Sequence, residues 1–226
     1  MTRLARELGY DGYDAFRGDV QASLRSARWG YAQALHQRPE ADLFAEVLTS
    51  SRENAASVFA PEMLDVIQSC IVPILGANRV YSVGGRSCYS IAHYLSYVGG
   101  MAFDNFARVP SKPGGIMDQL AACGPDDIVV VNSYHHYAAE VVRACHITKD
   151  RGARILAMTD SPAAPNALQS WKTIILPMAG TQVLPSLTSA FQVAEMMLAA
   201  MACQSKGATK NVENFETAIQ SYGGYM

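Results

Sequence analysis

The run Asp126–Val131, DDIVVV, constrains the fold more than any other stretch of the chain. It opens on two acids and then continues as unbroken apolar sequence. Successive side chains of an extended segment point to opposite faces, so IVVV needs a cover on both sides. That is the pattern of a central strand in a parallel sheet with helices on each face. Arg79–Val83 is a second short apolar run of the same kind, followed by Gly84-Gly85 and then by Ser87–Val98, with Ile91, Ala92, Leu95 and Val98 at helical spacing. A strand, a glycine turn and a helix start together form an anion site, because the first helical N–H groups lack partners inside the helix. The glycines serve turn geometry equally well, so the turn alone leaves a structural and a ligand-binding role open.

The other segments repeat this alternation. Ala102–Val109 reads as a second strand, Pro110–Gly115 as a loop and Ile116–Ala122 as a short helix. Asn132–Tyr137, NSYHHY, leaves the central strand, and Ala138–Arg151 is a helix ended by Gly152. Arg154–Met158 and Thr173–Leu176 are the fourth and fifth strands, and Leu184–Cys203 and Val212–Tyr222 are closing helices. Strands and helices in this order predict an α/β fold with a doubly wound, mainly parallel, five-stranded sheet of the flavodoxin-like kind. Ligands of such sheets bind beyond the strand C-terminal ends, which predicts that loops 84–88 and 133–137 meet.

An N-terminal helical extension precedes this sheet. Thr2–Leu8 is a short amphipathic helix stopped by Gly9. Tyr13–His36 carries Phe16, Val20, Leu24, Ala27, Tyr31 and Leu35 at helical spacing until Pro39 breaks it. Ala41–Phe59 and Pro61–Gly76 follow as helices whose apolar stripe (Val47, Val58, Met63, Ile67, Ile71, Leu75) suits core or dimer packing. Residues 1–38 and 39–226 are the expected domains.

The net charge of −2 gives no overall nucleic-acid signature, although residues 1–38 hold six Arg against four acids. Five cysteines without CxxC spacing argue against a disulfide framework or a zinc site and predict free thiols in a reducing, cytoplasmic setting. No apolar run reaches membrane-spanning length, and no membrane partner is expected. His135 and His136 are adjacent and cannot share a helix face, so a metal would need His93 or His146 as well. No metal or cofactor is expected, and no catalytic residue is assigned. Leu184–Cys203 has apolar residues nearly all round, so its own core or a partner must cover it; a homodimer or higher homo-oligomer is expected.

Two resemblances sharpen this reading. RLARELGYDGYDAFRGDVQ resembles the C-terminal end of the helix-turn-helix domain of RpiR/MurR-family transcriptional regulators. The chain starts inside the segment that resembles the recognition helix, with Arg3 and Arg6 as the implied DNA contacts. VGGRSCYSIA, DDIVVVNSYHHYAAE and LAMTDSPAAPNA resemble, in order, three segments of the sugar isomerase (SIS) domain. Gly84, Ala92, Ser133 and Glu140 match its pattern. Arg86 and His136 stand where the pattern has glycine, Cys88 and His135 where it has serine, and Ala138 where it has threonine.

These resemblances imply an effector-sensing regulator that binds a sugar phosphate or similar anionic small molecule, and that binds DNA in its full-length form. The implied ligand residues are Gly84, Gly85, Arg86, Ser87, Cys88, Ser133, Tyr134, His135, His136 and Glu140. The alternatives are a phosphosugar isomerase on the same fold, with Glu140, His93 or His135 as base near the loops, or a truncated ligand-binding or dimerisation module. The His pair also reads as surface residues at a helix start.

Overall fold

The computed structural model describes residues 2–19, 35, 38–110 and 115–224. They divide into two compact units, Met1–Ser51 with Ala179–Ser186, and Arg52–Met178 with Leu187–Met226. In the first unit, α1 (Thr2–Glu7) is a short helix, Gly9 follows it with a φ of 85°, and residues 13–19 are helical. Residues 20–34 and 36–37 of the expected helix Tyr13–His36 lie outside the described residues. The helix α2 (Glu40–Val58) runs across the boundary between the units.

The second unit holds the expected alternation. After α3 (Pro61–Leu75) come β1 (Val80–Gly84), α4 (Tyr89–Ala102), α5 (Gly115–Leu120), β2 (Ile128–Asn132), α6 (Ala139–Asp150), β3 (Arg154–Thr159), β4 (Lys172–Ile175), α7 (Thr188–Gln204) and α8 (Ala208–Ser221). The strands pair in parallel in the order β1-β2-β3-β4, and the register sets Gly84 beside Asn132 and Asn132 beside Met158. Every residue of β1 and β2 is buried, as a strand covered on both faces must be. Val80, Ile128, Val130, Leu156, Met158 and Ile174 pack against α3, α4 and α7. Val83, Val129, Val131, Ile155 and Ala157 pack against α5 and α6 on the other face.

The expected strand at 102–109 is absent as a strand, so among the described residues the sheet has four strands and not five. Only a parallel bridge from Val80 to Phe106 remains, on the edge of β1 that β2 does not use. Ser96 explains the shortening. Its hydroxyl donates to Ala107 O at 2.5 Å and accepts from Val109 N–H at 3.0 Å. Those are the two groups that the next ladder step, on Ser82, would require. The bridge still places the chain on one side of β1 before it crosses to β2 on the other, so the order reverses at β1. The C-terminal end of β1 is therefore the switch point where ligands of open α/β sheets bind.

Two further expectations change. α7 starts at Thr188 and not at Leu184; Pro185 disfavours helical backbone at Leu184, the residue before it. Its Ala190, Val193, Ala194, Met197, Leu198 and Met201 are buried in this chain's own core, so the core covers most of the methionine-rich helix and no partner is needed for it. Among the described residues no single helix is long and apolar enough to cross a membrane.

Candidate ligand site at the strand exits

Chain geometry requires the glycine that ends β1. A Cβ on Gly84 would collide with the carbonyl of Cys88, because the single 3-10 turn Arg86–Cys88 folds back over the strand end. The turn is closed by Cys88 N–H donating to Gly85 O at 3.0 Å. Gly85 faces the neighbouring loop: a Cβ there would lie 2.6 Å from Glu140 Oε1 and 3.1 Å from the Ala138 methyl. The exits of β1 and β2 therefore meet, as the sheet topology demands.

Among the described residues, the two non-glycine residues with positive φ are Arg86 (53°) and His136 (76°), one in each of these loops. They are the two positions at which the SIS pattern has glycine and this chain does not. A left-handed backbone costs a residue with a Cβ roughly 1–2 kcal/mol, so each loop keeps its turn and adds a large polar side chain at that cost. Both side chains are exposed, as are Ser87, His135 and Glu140. The His135 and His136 rings lie 4.4 Å apart between centroids.

The exit of β3 locks the loop after β2. Asp160 accepts from His135 N–H through Oδ2 and from the Tyr137 hydroxyl through Oδ1, both at 3.1 Å. Thr159 Oγ1 donates to Ser133 O at 2.8 Å. Burial, and then the Asp160 carboxylate, push the Tyr137 phenol upward, so it stays a donor. Asp160 thus takes a backbone N–H that an anion would otherwise compete for. The sequence shows this acid within TDSP but gives it no role. Tyr137 is likewise missed, because nothing local to either residue shows that their loops touch.

The remaining residues expected at the ligand lie deeper. Ser133 and Tyr134 are buried, and Tyr134 joins the core with its hydroxyl unpaired among the described residues. Asn132, which the sequence reading passed over, is fully buried and leaves both amide atoms unpaired. Cys88 is buried too. Burial raises its thiol, against an opposing hydrogen bond with the Tyr134 backbone, which disfavours a thiolate nucleophile. His93 is not at the loops, contrary to expectation: one turn into α4, it faces a separate cleft described below. Among the described residues no three metal-ligating side chains converge.

The chain and its fold have relatives among known proteins. The chain is 23% identical over 173 residues, 73% of its length, to an uncharacterised HTH-type transcriptional regulator of Clostridium perfringens, and spans 60% of that relative's length. Its fold is similar to the sugar isomerase domain of the RpiR transcription factor from Sphaerobacter thermophilus, with a TM-score of 0.67 and 18% identity, over 82% of this chain and 99% of that one. It is also similar to the Vibrio vulnificus NanR protein complexed with ManNAc-6P, with a TM-score of 0.69 and 14% identity, over 98% of this chain and 80% of that one. An E. coli CFT073 protein in complex with A5P superposes with a TM-score of 0.62 and 15% identity, over 79% of this chain and all of that one. Residues 74–203, more than half of the chain, match the SIS domain family, and the chain belongs to that family.

Proposed function

We propose that this chain is the effector-binding part of an RpiR-type transcriptional regulator, and that it binds a sugar phosphate or related anionic metabolite where β1 and β2 end. The observation that carries the reading is the pair of left-handed residues, Arg86 and His136, held exposed in two loops that touch. Strain of this kind persists where function uses it. A guanidinium matches phosphate oxygens bidentately, and the loop N–H groups near the start of α4 add donors. Arg86 takes over from the hydroxyls that Cys88, His135 and Ala138 lack. Glu140, exposed beside Gly85, accepts hydrogen bonds from ligand hydroxyls.

In this reading the protein works as a cytoplasmic homodimer. Arg3 and Arg6 of α1 contact DNA, Arg3 after leaving the exposed ion pair it makes with Glu7 at 3.2 Å. NanR and the E. coli protein, whose structures contain ManNAc-6P and A5P, lend support through their common fold.

The test is a calorimetric and thermal-shift titration with ManNAc-6P, arabinose 5-phosphate, glucose 6-phosphate and inorganic phosphate. At least one phosphosugar is expected to raise Tm, since a ligand at 100 times its Kd adds about 2.7 kcal/mol. Arg86→Ala is expected to weaken that binding by about 1.5–3 kcal/mol, the usual worth of a charged hydrogen bond. The same sugars are expected to emerge unchanged after incubation, as an effector does; conversion would point instead to an isomerase with Glu140 or His135 as base. A panel with no Tm shift, or an Arg86→Ala variant with unaltered affinity, removes this site.

A further inference from the structure

A second cleft lies on the outer side of α4, between it and α8. Its volume is about 300 Å³, and His93, Tyr97, Gly100, Met101, Arg108 and Phe215 are among the residues lining it. Its lining on α4 runs from His93 to Met101, five to thirteen positions past Cys88 and roughly 8 to 20 Å along the axis, so this cleft lies away from the strand exits. We propose that it is a small-molecule site for a planar aromatic ring carrying an anionic group, of the nucleoside monophosphate class.

Four features of the cleft argue for such an occupant. The first is a wall of rings. His93 and Tyr97 lie one turn apart on α4 with centroids 5.9 Å apart and planes within 12°. Phe215 of α8 meets Tyr97 edge-on at 6.5 Å. Tyr97 is nonetheless 55% exposed, so much of its ring remains available for stacking.

The second is Arg108, which is exposed and makes no ion pair among the described residues. A lone guanidinium beside an aromatic wall supplies the bidentate contact that a phosphate or carboxylate takes.

The third is Gly100. A glycine inside a helix weakens it relative to alanine, and here the two neighbouring glycines differ in their reasons. A Cβ on Gly99 would strike the Phe106 ring, so packing explains it, whereas a Cβ on Gly100 meets nothing within 4 Å. Nothing among the described residues requires Gly100 to lack a side chain, and its bareness keeps that side of the cleft open.

The fourth is the rigid opposite wall. Ser96 holds Ala107 and Val109 by the two hydrogen bonds that end the sheet, and these fix the backbone on either side of Arg108. The volume is at the lower end of the range for small-molecule sites, which suits one mononucleotide.

The probes are AMP, GMP and adenosine, titrated into the full 226-residue chain by calorimetry, with sedimentation run in parallel. AMP or GMP is expected to bind, and adenosine at least tenfold more weakly. Arg108→Gln is expected to reduce nucleotide affinity about tenfold while leaving adenosine unchanged. Gly100→Leu, a better helix former that fills the cleft, is expected to abolish binding of all three. Arg86→Ala, at the other site, is expected to leave all three unchanged. Absence of nucleotide binding at millimolar concentration overturns the proposal. So does binding that is indifferent to both cleft variants or lost in Arg86→Ala. A change of oligomeric state in Gly100→Leu also overturns it, by showing that a second copy covers this face.

Discussion

Arg86 and His136 show at the scale of single residues how this site departs from a loop built of glycine and hydroxyls. Their backbone has the left-handed conformation that glycine adopts freely, and the side chain is the gain. Replacing each by Ala and by Gly separates the two effects. Ala keeps the backbone strain, whereas Gly removes it at some loss of chain entropy. The Gly variants are expected to be more stable than the Ala variants by about 0.5–1 kcal/mol, measured by urea denaturation, while both lose the side chain's part in binding. Equal stabilities of the Gly and Ala variants would show that the strain is not present in solution.

The thiols also belong to this scale. Cys70, Cys88, Cys123 and Cys145 are buried and Cys203 is exposed. Burial raises the four inner thiols, and Cys145 is pushed up to about 12. The raised folded value fixes the sign. Below pH 9 both folded and unfolded chains keep the Cys145 proton. Between 9 and 12 the unfolded chain loses it first, so stability falls as pH rises, by up to roughly 4 kcal/mol from this one group. Denaturation curves from pH 8 to 11 check the slope, which Cys145→Ala is expected to flatten. At pH 8 a thiol reagent is expected to titrate Cys203 alone in the native protein and all five thiols in denaturant.

Among the elements, the most informative is the strand that stops after one bridge. Ala102–Val109 has the composition of a strand, and Val80 pairs with Phe106 as a strand would. The ladder ends because one buried hydroxyl on α4 satisfies a carbonyl and an N–H that lie two residues apart. Ser96→Ala leaves both groups to find partners. It is expected to destabilise the chain by about 1–3 kcal/mol and to speed amide exchange at Val109 without changing exchange in β2 and β3. Uniformly faster exchange across the sheet would mean that Ser96 supports the core as a whole and not this edge.

For the whole molecule the open quantity is assembly. The core of this chain covers α7, so the case for a dimer now rests on residues 40–76. Phe44 and Leu48 lie one turn apart on α2 at 65% and 52% exposed, and Leu64 and Val72 are exposed on α3 at 37% and 66%. Apolar faces of this kind call for a partner surface. A homodimer is expected by sedimentation at micromolar concentration, shifting toward monomer in a Phe44→Ser, Leu48→Ser double variant. A wild-type monomer at that concentration refutes the dimer.

The sheet was legible because its signals are local. IVVV needs two covered faces wherever it lies, and strands alternating with helices at short spacing have few arrangements other than a parallel sheet with its exits on one edge. The glycine turn at 84–85, the central strand and the SIS resemblance follow from stretches of ten residues or so. What tertiary structure decided is everything that depends on groups distant in sequence. These are Asp160 holding the β2 loop from 25 residues away, Ser96 ending a strand that its own residues favour, and His93 turning toward α8 and not toward the strand exits. They also include the burial of Ser133, Tyr134 and Cys88 within the loops where they were expected to meet a ligand. A hydrogen bond or a buried face is a property of two segments at once. Local spacing reports the preference of each segment alone, and the competition for each donor, acceptor and apolar face is settled only when the segments meet.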